Sequence, residues 1–248
     1  YIGGGDGTGD SFSEFENVTG SDHADRLIGD SSANTLTGGA GADTLEGNAG
    51  ADTLTGGAGD DTLIGQAGAD TLTGGAGTDT LSYSGSSAAV TINMATGYIG
   101  GGDGTGDSFS EMENVTGSDH ADRLIGDSSA NTLTGGAGAD TLEGNAGADT
   151  LTGGAGDDTL IGQAGADTLT GGAGTDTLSY SGSSAAVTIN MATGYIGGGD
   201  GTGDSFSEME NVTGSDHADR LIGDSSANTL EGGAGADTLE GNAGADTL

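Results

Sequence analysis

The 248-residue sequence contains no cysteine, no proline and no tryptophan, and its three basic residues other than histidine are all arginines. The lack of cysteine excludes disulfides and thiolate metal sites. Against the three arginines stand 39 acidic residues, which give a net charge of -36. Such a surface repels nucleic acid and anionic membranes, so cations are the expected partners. No apolar run approaches the roughly 18 residues of a membrane-spanning helix, so we expect no membrane insertion.

The sequence is built from two nested repeats. Glycine is its commonest residue, with 56 occurrences. The longer repeat has full copies at residues 1–97 and 98–194 and a partial copy at 195–248. A nine-residue repeat fills residues 20–82, 117–179 and 214–248. The remaining segments, 1–19 and 83–97 with their later counterparts, lack that period; we call residues 83–116 and 180–213 the interruptions. Self-similarity at a fixed short period is typical of solenoids, so we expect one continuous solenoid.

Each nonapeptide divides into a turn and a short strand, as in the GGAGADTLE of residues 38–46. Glycine-rich stretches adopt backbone angles that other residues avoid and let carbonyl groups approach a ligand closely. The following Thr-Leu-Glu alternates, which predicts a strand with Leu45 pointing inward and Thr44 and Glu46 outward. Two nonapeptides then form one coil of 18 residues, so that each unit stacks on the second unit after it.

Position six of the nonapeptide carries an aspartate, always two residues before the inward leucine. Stacking places equivalent carboxylates about 4.8 Å apart, where repulsion costs roughly 3 kcal/mol for each pair at an effective dielectric near 20. Calcium bound between two carboxylates turns this repulsion into attraction, because it takes six to eight oxygen ligands from carboxylates and carbonyl groups. The predicted calcium ligands are Asp25, Asp43, Asp52, Asp61, Asp70, Asp79, Asp122, Asp140, Asp149, Asp158, Asp167, Asp176, Asp219, Asp237 and Asp246.

These nonapeptides resemble the RTX (repeats-in-toxin) family of calcium-binding repeats, over about two thirds of each copy. The resemblance implies an all-β fold, a right-handed parallel β-helix or β-roll, with calcium in its turns. It also implies roughly one Ca²⁺ for each nonapeptide, type I secretion and an extracellular or cell-surface location. With fifteen ions bound, the net charge of -36 would become about -6.

Several positions depart from the pattern. Asn34, Asn131 and Asn228 replace the position-six aspartate, and we expect weaker or empty sites there because an amide oxygen carries no charge. Asp10, Asp107 and Asp204 are irregular calcium candidates in segments that resemble a nonapeptide with one extra glycine. His23 and its two counterparts are interpreted as tolerated turn residues. The arginines are expected on the outer strand face beside carboxylates.

Within the first interruption, residues 89–94 alternate and predict a strand. Val90 lies nine residues after Leu81, and Val115 lies nine residues before Leu124, so we expect the solenoid phase to enter and leave this segment intact.

The sequence favours a structural function: a calcium-rigidified spacer or filament segment of a long bacterial surface or secreted protein, such as an adhesin or matrix fibre, in which identical chains could associate. One alternative is an ice-binding solenoid that uses stacked Thr-x-Thr strands, such as Thr53-Leu54-Thr55. Another is an RTX carrier module of a secreted enzyme or toxin. The sequence predicts no enzyme, because it contains no nucleophile–base motif.

Overall fold

The computed structural model describes residues 15–248, which divide into an N-terminal unit within Tyr1–Asp119 and a C-terminal unit, His120–Leu248. Within residues 15–248, the units are built from short strands, and each contains one single-turn 3-10 helix, Gly102–Gly104 in the first and Gly199–Gly201 in the second. Within the described residues, no helix is long and apolar enough to cross a membrane.

The N-terminal unit is a β-solenoid with two parallel sheets. Its strands are β1 (Asn17–Thr19), β2 (Arg26–Ile28), β3 (Thr35–Ala40), β4 (Thr44–Gly50), β5 (Thr53–Ala58), β6 (Thr62–Gly68), β7 (Thr71–Ala76), β8 (Thr80–Ser82), β9 (Thr91–Asn93), β10 (Tyr98–Gly100), β11 (Ser108–Ser110) and β12 (Asn114–Thr116). One sheet has the order β1-β3-β5-β7-β11, and the other contains β2-β4-β6-β8-β12. Alternate strands of the chain therefore join opposite sheets, as the 18-residue coil requires.

The C-terminal unit repeats this construction. Its strands are β13 (Arg123–Ile125), β14 (Thr132–Ala137), β15 (Thr141–Glu143), β16 (Ala146–Gly147), β17 (Thr150–Ala155), β18 (Thr159–Ile161), β19 (Ala164–Gly165), β20 (Thr168–Ala173), β21 (Thr177–Ser179), β22 (Thr188–Asn190), β23 (Tyr195–Gly197), β24 (Ser205–Ser207), β25 (Asn211–Thr213), β26 (Arg220–Ile222), β27 (Thr229–Glu231) and β28 (Thr238–Glu240). The parallel series are β13-β15-β18-β21-β25-β27, β14-β17-β20-β24 and β22-β26-β28, and β16 pairs with β19.

The strand register confirms the stacking predicted from the sequence. Leu45 pairs with Leu63, which lies 18 residues later in the chain. Both leucines are fully buried, whereas Thr44 and Glu46 are only partly buried. In the nonapeptide region the core thus consists of two files of leucines, one in each sheet, to which each nonapeptide contributes one leucine. The predicted all-β parallel solenoid is confirmed.

The interruptions continue the coil with a hairpin inserted. In the second one, β22 pairs antiparallel with β23 and parallel with β26. Ile189, not Val187, pairs with Leu221. The expected phase is therefore wrong by two residues where the chain enters this interruption: Val187 stands where the regular repeats have aspartate, and its backbone N–H donates to Oδ1 of Asp219. At the end of the interruption the phase is intact, because Val212 pairs with Leu178 and Leu230. Val187 and Ile189 are both buried, because residues two apart on a strand point to the same face.

Candidate metal centre

The position-six aspartates form hydrogen-bonded ladders along the edges of the solenoid. The Oδ1 atom of Asp61 accepts a hydrogen bond of 2.8 Å from the backbone N–H of Asp43, the equivalent residue one coil earlier. Asp61 in turn donates its own N–H to Oδ1 of Asp79, again at 2.8 Å. The same 18-residue step links Asp140 to Asp158 in the C-terminal unit. One oxygen of each carboxylate is thereby fixed by the backbone of the preceding coil.

The second oxygen of most of these carboxylates is buried without a partner. Within residues 15–248, the Oδ2 atoms that accept no hydrogen bond belong to Asp43, Asp52, Asp61, Asp70, Asp79, Asp140, Asp149, Asp158, Asp167 and Asp176. The residues themselves are at most 2% exposed. Burying an unpaired carboxylate oxygen is costly unless a proton or a cation neutralises it. These ten oxygens therefore mark ten places suited to a cation.

Backbone carbonyl groups converge on the same places. A Cβ atom added to Gly144, the first residue of its nonapeptide, would lie 2.5 Å from Oδ2 of Asp149 and 2.9 Å from the carbonyl oxygen of Gly162. Glycine at position one is thus required because two oxygens already occupy the space of a side chain. A carboxylate oxygen and a carbonyl oxygen facing one cleft, with no donor between them, are the ligand types that Ca²⁺ prefers.

Burial also raises the pKa of these carboxyl groups. Desolvation is the largest cause, the backbone hydrogen bond opposes it, and neighbouring carboxylates add to it. The pKa of Asp140 rises to about 7, and those of Asp70 and Asp149 rise to about 6. These groups therefore hold protons more tightly than ordinary aspartates, and a bound cation would favour their ionised form instead.

Five predicted ligands differ from these ten. Oδ2 of Asp25 accepts an N–H bond of 2.5 Å from Ser21, and Oδ2 of Asp219 accepts one of the same length from Ser215. Asp237 and Asp246 are only partly buried. The fifth, Asp122, is 3% exposed, and its backbone N–H joins the ladder by donating to Oδ1 of Asp140.

The three asparagines join the ladders but differ in chemistry. The backbone N–H of Asn34 donates to Oδ1 of Asp52 at 2.7 Å, as an aspartate would. Its own Oδ1 accepts the N–H of Asp30, also at 2.7 Å. Asn131 and Asn228 accept the equivalent N–H groups of Asp127 and Asp224 at 2.8 Å. The asparagine oxygens are therefore already hydrogen-bonded, and weak or empty sites at these units stay a prediction.

The ladders also contain residues from the interruptions. Oδ1 of Asp107 accepts the N–H of Asp70, and Oδ1 of Asp204 accepts that of Asp167. The third irregular candidate, Asp10, lies outside the described residues. Sequence reasoning missed Glu113, whose Oε2 accepts the N–H of Asp79 at 2.8 Å. Its counterpart Glu210 does the same for Asp176.

A signal for these glutamates was present in the sequence. Glu113 stands two residues before Val115, which takes the place of a core leucine by pairing with Leu81. In most units, therefore, an acidic residue stands two positions before a buried apolar one, and aspartate is its commonest form.

The arginines lie where the sequence predicted, on the outer face beside carboxylates. Arg26 and Arg123 form ion pairs of 2.9 and 3.1 Å with Glu46 and Glu143, and Arg220 lies 3.7 Å from Glu240. His23 is exposed in its turn. Among residues 15–248, no three His, Cys, Asp or Glu side chains cluster closely enough to hold a metal by themselves. Backbone carbonyl groups and water are the other ligand types that calcium takes.

Comparison with known families agrees with this geometry. The sequence model of the RTX calcium-binding nonapeptide repeat matches residues 19–54, 46–81, 116–151, 143–178 and 213–248. The chain belongs to this RTX family. The matched segments cover the nonapeptides of all three copies, and thus every position-six aspartate. A search of curated proteins finds no significant match. As RTX repeats, the nonapeptides form a calcium-binding structural module.

The residues present fit calcium on the structural evidence as well. Each of the ten clefts offers a buried carboxylate oxygen without a donor, and in eight of them a carbonyl oxygen from the next coil lies beside it. When bound, calcium supplies the positive charge that lets adjacent carboxylates remain ionised side by side. The chain itself holds Oδ1 of each position-six aspartate through a ladder hydrogen bond and directs Oδ2 into the cleft. Glycine at position one leaves room for both oxygens because it has no side chain.

Proposed function

We propose that this chain is a calcium-dependent structural repeat, in which ions at the position-six aspartates hold successive coils together. The observation that carries the proposal is the row of ten buried Oδ2 atoms without a hydrogen-bond donor. A fold with so many uncompensated carboxylates is unstable at neutral pH without cations. We propose roughly one Ca²⁺ for each of the fifteen aspartates, with the ten unpaired ones as the strongest sites.

Circular dichroism with and without calcium tests this proposal. In excess chelator at pH 7.5, we expect the spectrum of a disordered chain, and millimolar Ca²⁺ should restore the β-sheet spectrum. Mg²⁺ at the same concentration should not, because it demands octahedral geometry and retains its waters. Sodium chloride at equal ionic strength controls for screening of the negative charge. A fully structured chain in chelator would contradict the proposal.

The proposed location is extracellular, and the proposed role is that of a spacer. Calcium sites of extracellular modules operate at about 10⁻⁴–10⁻³ M, so the chain would fold after secretion. Two nearly identical 97-residue copies add length without adding a new chemical site, which supports a spacer or filament segment over an enzyme. Small-angle X-ray scattering in calcium should give a rod-like profile that remains extended when a third copy is added. A profile that becomes more spherical with each copy would refute the spacer role.

Association of identical chains is a further part of this proposal. Calcium bound along the ladders would screen the net charge of -36 that otherwise keeps identical chains apart. Light scattering in millimolar Ca²⁺ should show association that dilution reverses. A chain that stays monomeric under these conditions would remove self-association from the proposed function.

Ice binding is the second candidate, and one observation favours it. The outward Thr-x-Thr pairs of β3, β5 and β7 continue into β11, where Ser108 and Ser110 align with Thr71 and Thr73. Each serine hydroxyl lies within 3.4 Å of its threonine hydroxyl. The hydroxyl array is therefore longer than the three threonine rungs counted from the sequence. A thermal-hysteresis assay should show activity that Thr55→Leu abolishes and that the opposite-sheet control Thr62→Leu does not.

A further inference from the structure

The interruptions contain a ladder carboxylate that differs from all the others. Asp107 occupies a position-six place, because β11 pairs in register with β7 and Oδ1 of Asp107 accepts the N–H of Asp70 at 2.8 Å. Its Oδ2 atom, however, accepts a hydrogen bond of 2.6 Å from the hydroxyl of Tyr83. Ten of the regular aspartates have no donor at this atom, whereas Asp25 and Asp219 accept one from a nearby serine. At this coil, a tyrosine hydroxyl lies where those ten have a carboxylate oxygen without a donor.

The second copy reproduces the arrangement in the other unit. Tyr180 donates to Oδ2 of Asp204 at 2.6 Å, and Oδ1 of Asp204 accepts the N–H of Asp167 at 2.9 Å. Both tyrosines are 2% exposed and both aspartates 9%. Each pair is therefore a buried, charge-assisted hydrogen bond, which is a stronger class than one between neutral groups.

The surrounding turn is shaped to hold the tyrosine ring. A Cβ atom on Gly104, in the 3-10 helix, would lie 3.5 Å from Cε1 of Tyr83 and 2.9 Å from Cγ1 of Ile99. The hairpin strand β10 and the 3-10 helix thus close over the ring. The backbone N–H of Tyr83 donates to Thr116 at 2.9 Å, which ties the start of the interruption to its end.

We propose that the Tyr83–Asp107 and Tyr180–Asp204 pairs are metal-free ladder positions, in which the tyrosine hydroxyl replaces calcium. This inference rests on the proposed calcium sites at the regular aspartates. It replaces the expectation that Asp107 and Asp204 bind calcium themselves. In the N-terminal unit, the ladder that runs from Asn34 through Asp52 and Asp70 to Asp107 then has a hydrogen-bonded oxygen at each end. Its ion sites are confined to the two aspartates between.

Calcium counting on paired variants tests the inference. The double variant Asp107→Asn/Asp204→Asn keeps an acceptor for the Asp70 and Asp167 N–H groups, so it should bind the same number of ions as the parent chain. The matched double variant Asp70→Asn/Asp167→Asn should bind about two fewer ions. Equilibrium dialysis against calcium with elemental analysis gives both counts. An equal loss in the two double variants would overturn the inference and leave the proposed function standing. No loss in the Asp70→Asn/Asp167→Asn variant would instead refute the proposed calcium sites.

A second variant pair tests the tyrosine directly. Tyr83→Phe/Tyr180→Phe leaves Oδ2 of both aspartates without a donor, so they should behave like regular sites. We expect up to two additional ions at saturation and a higher calcium concentration for half-maximal folding. Tyr98→Phe/Tyr195→Phe is the control, since both of these tyrosines are 57% exposed. A Tyr83→Phe/Tyr180→Phe variant with an unchanged ion count and an unchanged folding midpoint would overturn the inference.

Discussion

Replacing Asp52 separates the two tasks of a ladder carboxylate. Oδ1 of Asp52 accepts the N–H of Asn34 at 2.7 Å, and its Oδ2 is buried without a donor. Asp52→Ala removes both functions, whereas Asp52→Asn keeps an acceptor for the N–H and loses only the charge. Asn34 shows that the ladder accommodates an asparagine, since it is itself buried at 4% exposure.

The expected loss of stability comes from a buried backbone N–H group that loses its acceptor. Asp52→Ala leaves the buried N–H of Asn34 without an acceptor, which costs about 1–3 kcal/mol. For chains of 150–250 residues, each kcal/mol lowers Tm by roughly 2–4 °C. At saturating calcium, Asp52→Ala should therefore melt about 2–12 °C below Asp52→Asn. Because each ion would link two coils, both variants should also need more calcium than the parent chain for half-maximal folding.

The assay is thermal unfolding followed by circular dichroism over a series of calcium concentrations. Asp22→Asn is the matched control: Asp22 is exposed in its turn, so this change removes the same charge without touching a ladder. Equal Tm values for Asp52→Ala and Asp52→Asn would refute the structural role of Oδ1. A calcium midpoint shifted no more by Asp52→Asn than by Asp22→Asn would refute the role of Oδ2.

Three further perturbations follow from the same geometry. Burial raises the pKa of Asp140 to about 7 and that of Asp70 to about 6, from 3.8, so the calcium-free fold gains stability below these values and loses it as pH rises through them. Metal-free chain should therefore show more strand by circular dichroism at pH 5 than at pH 7.5. Equal or lower strand content at pH 5 would contradict this. Gly144→Ala should lower Tm and calcium affinity, because the added Cβ would meet Oδ2 of Asp149. Gly182→Ala is the control and should melt like the parent chain, because no atom lies within 4 Å of its added Cβ. Equal Tm values for the two variants would contradict the steric role of Gly144. Arg123→Gln should lower the free energy of unfolding by less than about 1 kcal/mol, because its ion pair with Glu143 is partly exposed. A larger loss, measured by denaturant unfolding, would contradict this.

Much of the solenoid could be predicted from the sequence because its physics is local and periodic. A nine-residue period with one leucine in each unit leaves few ways to bury that leucine other than stacking every second unit. The partners of Leu45 and Asp61 therefore follow from counting 18 residues along the chain. The outward direction of Arg26 follows from strand alternation in the same way.

The interruptions could not be predicted to the same depth, because their contacts are neither local nor periodic. Val187 and Ile189 are both apolar and two residues apart, so they lie on the same face of a strand and counting alone could not decide which one replaces leucine. The hydrogen bond between Tyr83 and Asp107 joins residues 24 positions apart across a hairpin that follows no repeat. Whether a carboxylate oxygen has a donor depends on such contacts, so the difference between regular and tyrosine-bonded aspartates needed the folded chain.

Locating the ions is the most direct test of the account. Crystals grown in millimolar calcium, with diffraction recorded where calcium scatters anomalously, show the position of each ion independently of any refolding experiment. The account predicts anomalous peaks about 2.3–2.6 Å from Oδ2 of the ten unpaired aspartates, Asp43 and Asp158 among them, and none beside Oδ2 of Asp107 or Asp204. Ordered carboxylates with no anomalous density near their Oδ2 atoms, in crystals that contain calcium, would contradict the central claim that calcium holds the coils together.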